Sequence, residues 1–160
     1  MRRGSGRASS YFYFPTPESD MTESAVNEAA IADSQPPFGR WLGMKVTHIS
    51  RDRLAAELVV REELTNRNGG LHGGVVMALA DNLGGTATFL NLPPGAATTT
   101  IESKTNFFAA VAHGDVIKTE TTPLHRGRST MVWQTRITRG DGKLAALVTQ
   151  TQLMMQKPGS

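Results

Sequence analysis

The sequence predicts an α+β domain in which an antiparallel sheet curls around one long buried helix. Two observations predict it. The run Gly74 to Leu83, extending toward Leu90, has apolar residues on all sides of a helical wheel, the pattern of a helix enclosed by protein. Two alternating, strand-like segments precede this run and four follow it. Strands wrapping a single helix bury it from several directions, which is an α+β arrangement.

In chain order, residues 1–36 read as a disordered N-terminal tail. Arg2, Arg3 and Arg7 lie among Gly and Ser, and Tyr11-Phe12-Tyr13-Phe14 lies between small polar residues and prolines. Thr22 to Ala32 has short-helix character, but its apolar residues are mostly Ala and bury little surface. Met21 is an alternative start that would leave residues 1–20 outside the native protein. Pro36-Pro37 breaks the chain, and the domain is expected over 37–157.

The domain opens with a short helical turn, Phe38 to Gly43, carrying Phe38 and Trp41. Met44 to Ile49 is a strand candidate, and Arg53 to Val60 places Leu54, Ala56, Leu58 and Val60 on one face. Thr65 to Gly70 has loop chemistry, and Pro93-Pro94-Gly95 closes the long helix. Four strands are then expected as a meander: Thr98 to Phe108, Gly114 to Leu124, Arg128 to Ile137 and Lys143 to Leu153. Turns at His113-Gly114-Asp115, His125-Arg126-Gly127 and Gly140-Asp141-Gly142 separate them.

Composition narrows the function classes. The 160 residues suit one domain plus a tail. With no cysteine there is no disulfide, thiolate metal site or Cys nucleophile, and a reducing cytoplasm, the expected compartment, is compatible. No apolar run reaches the ~18 residues of a membrane span, and Met1-Arg2-Arg3 is not followed by the apolar segment of a secretion signal. Net charge is +3, of which residues 1–36 carry −2, so the remainder is basic at +5. Such a surface suits an anionic ligand such as a nucleotide phosphate as well as it suits plain solvated charge. No tight basic stripe interleaved with aromatics points to nucleic acid.

Asp81 is the most informative residue. Mid-helix and flanked by Ala78, Leu79, Ala80 and Leu83, it is expected to be buried, where an ionised carboxylate costs several kcal/mol unless paired or used. Desolvation would suit it to general-base or nucleophilic work near neutral pH. The competing explanation is a structural Asp bonded to a neighbouring hydroxyl or amide. Gly73 and Gly74 open the helix, where free N–H groups and the positive dipole end stabilise a developing oxyanion, although they also suit a plain turn.

Asn66-Arg67-Asn68-Gly69-Gly70-Leu71-His72-Gly73-Gly74, followed by Ala78-Leu79-Ala80-Asp81, resembles the signature of hotdog-fold acyl-CoA thioesterases of the phenylacetate-pathway, PaaI-like type. Thr100 to Phe108 is similar to that family's third strand, and His125-Arg126-Gly127-Arg128 to its turn before the fifth. The resemblance spans about Phe38 to Met155. It departs at Ser103, where the family usually carries a larger apolar residue, and in the tail, which has no counterpart.

The resemblance implies a hotdog fold and hydrolysis of an acyl- or aroyl-CoA thioester, with coenzyme A part of the substrate and no separate cofactor or metal. It assigns the carboxylate chemistry to Asp81 and the oxyanion contact to the Gly73 amide, assisted by the Asn66 side chain. His72 shapes the site, and Thr100 helps hold the attacking water, with Thr98 and Thr99 as neighbours in register. Asn66 alone is also a common turn residue, and Thr a common strand residue. Arg126 and Arg128 are candidates for the nucleotide phosphates of coenzyme A, or simply solvated turn residues. His48, His113 and His125 are expected on strands or turns without chemistry, and no second His or carboxylate lies at metal-ligand spacing from His72.

Gly73 and Asp81 are eight residues apart on one helix, so ~12 Å of rise separates them. Both reach one thioester carbon only if they come from different subunits, so a homodimer or homotetramer is expected. Two other functions compete. A hotdog dehydratase or hydratase relies on a catalytic His paired with an acid in a different motif context. A non-catalytic acyl-CoA-binding module would not need both Asp81 and the oxyanion elements.

Overall fold

A computed structural model describes residues 28–155. It contains the helices α1 (Glu28–Asp33), α2 (Pro37–Leu42) and α3 (Gly73–Phe89). The strands are β1 (Lys45–Ile49), β2 (Leu54–Val59), β3 (Ala97–Phe107), β4 (Val116–Arg126), β5 (Thr130–Thr138) and β6 (Leu144–Met155). The six strands form one antiparallel sheet in the order β1-β2-β4-β5-β6-β3, packed on α3. This is the expected α+β, hotdog arrangement.

The alternation read in the sequence is the alternation of burial. Leu54, Ala56 and Leu58 of β2 face inward with Ile117 of β4, Trp133 and Ile137 of β5, and Val148 of β6. They meet Val76, Leu79, Ala80, Leu83 and Ala87 on one face of α3. Each fully buried Leu contributes about 2 kcal/mol of transfer free energy. Trp133 Nε1 donates to Thr88 Oγ1 at 2.8 Å, and Thr88 Oγ1 donates back to the Gly84 carbonyl at 2.9 Å, so the buried indole has its partner on the helix.

Two expectations change. The four-strand meander holds only for β4-β5-β6, because β3 pairs with β6 at the far edge while β2 pairs with β4. The hairpins β4-β5 and β5-β6 have short turns, whereas residues 108–115 are long enough to carry the chain from one side of the sheet to the other. The helix is not enclosed on all sides. Gly74, Met77, Asp81 and Phe89 are exposed and Ala78 and Gly85 half-buried, forming one stripe opposite the core-facing stripe. The apolar residues all round the wheel therefore serve two faces, and the described residues cover one of them.

Residues 1–27 of the expected tail lie outside the described residues. Residues 28–36 pack on the domain: α1 lies against β1, Ile31 joins the edge of the core, and Gln35 is buried with Nε2 donating to the Ile31 carbonyl. Among the described residues no helix is long and apolar enough to cross a membrane.

Candidate active site

Asp81 projects from the exposed stripe of α3 toward β3. The expectation of a buried carboxylate is not met within the protomer: the core-facing set Val76, Leu79, Ala80 and Leu83 is rotated away from position 81. Its own chain therefore does not supply the desolvation the sequence reading relied on.

What the chain does supply is orientation. Thr100 Oγ1 donates to Asp81 Oδ1 at 2.8 Å, and Gln150 Nε2 donates to the same oxygen. Gln150 Nε2 also reaches Thr100 Oγ1 at 3.2 Å, and Gln152 Nε2 donates to that hydroxyl at 2.8 Å. Thr98 Oγ1 lies 3.0 Å from Gln152 Oε1, to which it donates. The two amide nitrogens facing Thr100 Oγ1 are donors only, so the single Thr100 proton must point to the carboxylate. Asp81 Oδ1 thus holds two donors, while Oδ2 has no protein partner among the described residues.

The register of β3 explains why Thr100 is the residue in place. Thr100 pairs with Gln152 and Glu102 with Thr151, leaving Ile101 as the extra residue of a bulge. Before the bulge Thr98 and Thr100 point to the helix side; after it Ser103 pairs with Gln150 and Thr105 with Val148 on that side. The bulge aims Thr100 at Asp81 and turns Ile101 outward, 56% exposed.

The second group of predicted residues gathers at the start of α3. His72 is the N-cap, and its Nδ1 accepts from the Gly74 N–H at 2.9 Å. With Nδ1 as acceptor, the neutral ring carries its proton on Nε2. The Gly73 N–H has no hydrogen-bond partner among the described residues. Asn66 Oδ1 accepts from Asn68 N at 2.8 Å and Gly70 N at 3.4 Å, and Nδ2 is 3.5 Å from the Leu71 carbonyl, so this side chain organises its own turn. Asn66 and Gly73 line one open cleft with Val76, Phe107 and Ala146. A carbon added at Gly73 would meet Phe107 Cζ at 3.1 Å, so glycine lets the backbone lie close to that ring.

The structure therefore brings together Asp81 with Thr100, and separately Gly73 with His72 and Asn66. It does not bring the two groups together within one chain. Arg126 and Arg128 lie elsewhere. The Arg126 guanidinium donates to Asp52 Oδ1 at 2.7 Å and to the Arg51 carbonyl, and lies 5.4 Å from the Trp133 ring centroid. Trp133 bonds Thr88, so Arg126 is toward the opposite end of α3 from Gly73. Arg128 is exposed in the β4-β5 turn. His48 lies on β1, His125 on β4 and His113 in the β3-β4 loop. Among the described residues no three His, Asp or Glu side chains cluster as metal ligands.

Sequence reasoning missed Gln150 and Gln152, both buried to 2% exposure or less. The available signal was parity. Ala146 and Val148 mark the inward face of β6, and continuing the alternation puts two glutamines into the core, where their amides require polar partners.

The sequence profile of the Thioesterase superfamily matches residues 68–146. The proofreading thioesterase EntH of Cronobacter turicensis is 33% identical over 107 residues, 67% of this chain and 77% of that protein. The 1,4-dihydroxy-2-naphthoyl-CoA hydrolase of Listeria monocytogenes is 27% identical over 116 residues, covering 72% of this chain and 94% of the relative. In fold, the chain is similar to the PaaI protein of the E. coli phenylacetic acid degradation operon, with TM-score 0.73, 20% identity, and coverage of 80% and 91% of the two chains.

Proposed function

We propose that this chain, which belongs to the Thioesterase superfamily as a hotdog-fold, PaaI-like thioester hydrolase, acts on acyl- or aroyl-CoA thioesters in a homodimer or homotetramer whose sites lie between subunits. The observation that carries the reading is the division of labour along α3. A carboxylate with one oxygen tethered and one open lies eight residues from a free N–H at the helix start.

The two-subunit arrangement follows from that spacing and from the surface around Asp81. The exposed stripe of α3 includes Met77 and Phe89, 43% and 39% exposed, and among the described residues no strand pairs with the adjoining edge of β3. A second copy with its α3 antiparallel would cover the stripe and bring its Gly73 toward this Asp81, twice by symmetry. It would also provide the burial of Asp81 that the protomer lacks. A separate observation supports a CoA thioester as the substrate: the relative from Listeria monocytogenes is named a 1,4-dihydroxy-2-naphthoyl-CoA hydrolase.

In the proposed reaction the thioester carbonyl oxygen receives the Gly73 N–H, with the Asn66 amide beside it, at the positive end of the helix dipole. Asp81 Oδ2 either takes a proton from water as that water attacks the carbonyl carbon or attacks the carbon itself. In both cases the C–S bond breaks, and one water is consumed to give the carboxylic acid and the thiol. Thr100 and Gln150 hold Oδ1 throughout. Once Asp81 is placed by the partner, His72, with Nδ1 occupied by the Gly74 N–H, is not needed as a base. The test is a thiol-release assay across short, medium, long and aromatic acyl-CoAs, run beside Asp81→Asn. Turnover abolished by that substitution supports the proposal. Binding without turnover would indicate a non-catalytic acyl-CoA module instead.

A further inference from the structure

We propose that Gln150 is a positioning residue for the carboxylate, and that Gly84 is glycine to make room for it. The inference rests on Asp81 being the reacting group. Gln150 is 2% exposed, lies on β6 behind the site, and uses Nε2 toward both Asp81 Oδ1 and Thr100 Oγ1. Burying an amide costs free energy for each polar atom left unpaired, so a glutamine at this depth needs a compensating interaction. Here the donor end is engaged by the carboxylate.

The acceptor end is not. Gln150 Oε1 is buried without a hydrogen-bond partner. It packs against Gly84, one helical turn beyond Asp81, and a side-chain carbon there would collide with Oε1. The two alternatives for the amide are unequal. Turning it over would give Oε1 toward the ionised Asp81 and repel it, so the carboxylate fixes which end faces it. Oε1 occupies the space where any other residue at position 84 would place its Cβ. Gly84 lies mid-helix, where glycine is disfavoured relative to alanine. That disfavoured choice has its explanation in the Gln150 amide.

The consequence is geometric selection. With Oδ1 held by Thr100 and Gln150, rotation about the Asp81 side-chain bonds is restrained, and Oδ2 is presented to the exposed side in one orientation. Misplacing a reacting atom by about 1 Å costs on the order of 10²-fold in rate. Loss of Gln150 should therefore appear in kcat with little change in KM, since the glutamine is buried behind the carboxylate.

The experiment measures kcat and KM from pH 5 to 9 for the full-length protein and for Gln150→Met, Gln150→Glu, Gly84→Ala, Gln150→Ser, the Gly84→Ala/Gln150→Ser pair and Asp81→Asn. Gln150→Met, similar in shape but with no donor, should lower kcat about 10- to 100-fold at every pH with KM within twofold. Gln150→Glu should work only where the introduced carboxyl holds a proton to donate, so its kcat relative to wild type should fall at least tenfold as pH rises. A merely structural glutamine predicts no such pH signature. Gly84→Ala should lower kcat by displacing an intact Gln150, yet add nothing further in the Gln150→Ser background. This pair remains informative if Gln150→Met does not fold. Near wild-type kcat in Gln150→Met and Gly84→Ala, with Asp81→Asn inactive, overturns the role of Gln150 alone. Full activity in Asp81→Asn overturns the catalytic reading and this inference with it.

Discussion

Thr100 and Asp81 are 19 residues apart in the chain and 2.8 Å apart at Oγ1 and Oδ1, one on an edge strand and the other on the exposed face of the central helix. The hydroxyl is saturated, accepting from Gln150 and Gln152 and donating to the carboxylate. The pair is therefore one end of a buried amide network that terminates in a charge at the surface.

Asp81→Asn retains an acceptor oxygen toward Thr100 and removes the charge. Because Asp81 is exposed in the protomer, folding should be unaffected, with a Tm close to that of wild type. Thioester turnover should fall by roughly 10² to 10⁴, the range for loss of a general base. Steady-state kinetics alongside thermal unfolding check both parts. A retained rate would mean that Asp81 is a structural carboxylate bonded to Thr100 and Gln150.

Thr100→Val keeps shape and branching but removes the proton given to Asp81 and the acceptor for two glutamines. Leaving buried donors unsatisfied costs about 1–3 kcal/mol, so stability and kcat should fall together. Thr100→Ser should restore both. Denaturant titration of the three proteins reads the stability change, and a Val variant as stable and active as wild type would contradict the network.

His72 caps α3 through Nδ1. His72→Asn presents a capping oxygen but no imidazole, so stability should change by less than about 1 kcal/mol, and turnover should persist within about an order of magnitude. A loss matching that of Asp81→Asn, in a folded protein, would reassign proton transfer to His72.

Arg126 is engaged by Asp52 and the Trp133 face, whereas Arg128 is solvent-exposed. If they serve the nucleotide of coenzyme A, replacing both by Ala should raise KM with little change in kcat. The effect should shrink for acyl-pantetheine substrates. Some stability should also be lost, because the exposed ion pair contributes only about 0–1 kcal/mol but the stacking on Trp133 goes with it. Equal losses on both substrates would assign the arginines to the fold.

If Gly73 and Asp81 act on one carbonyl from different subunits, two inactive variants should rescue each other. One carries Asp81→Asn, and the other Asn66→Ala with Gly73→Val, which would also push into Phe107. A mixed dimer collects both lesions in one site and leaves the other intact, so random mixing gives about a quarter of wild-type activity by site counting. Co-expression is needed, because a stable interface does not readily exchange subunits. Absence of rescue, with mixed dimers verified by mass, would place each site within one chain.

Much of this protein was determined by its sequence. Alternation at Leu54, Ala56 and Leu58 and at Met131, Trp133, Thr135 and Ile137 defines inward faces because side chains in strands repeat every second residue, whatever the partner. The placement of Asn66, His72 and Gly73 together at the start of α3 was also legible, since it depends on local geometry: a turn, a cap and a helix start within eight residues. The tertiary structure alone decided which threonine meets Asp81, because a bulge at Ile101 reverses the parity of β3 and no local pattern announces it. It also decided that β3 crosses to the far edge beside β6 rather than lying beside β4. That placement brings Gln150, 69 residues from Asp81, onto the carboxylate. The exposure of Asp81 was likewise beyond a helical wheel, which records that a face is apolar but not whether the chain itself covers it. Periodicity is a property of neighbouring residues, whereas register between distant strands depends on which partners the whole chain can pack at once.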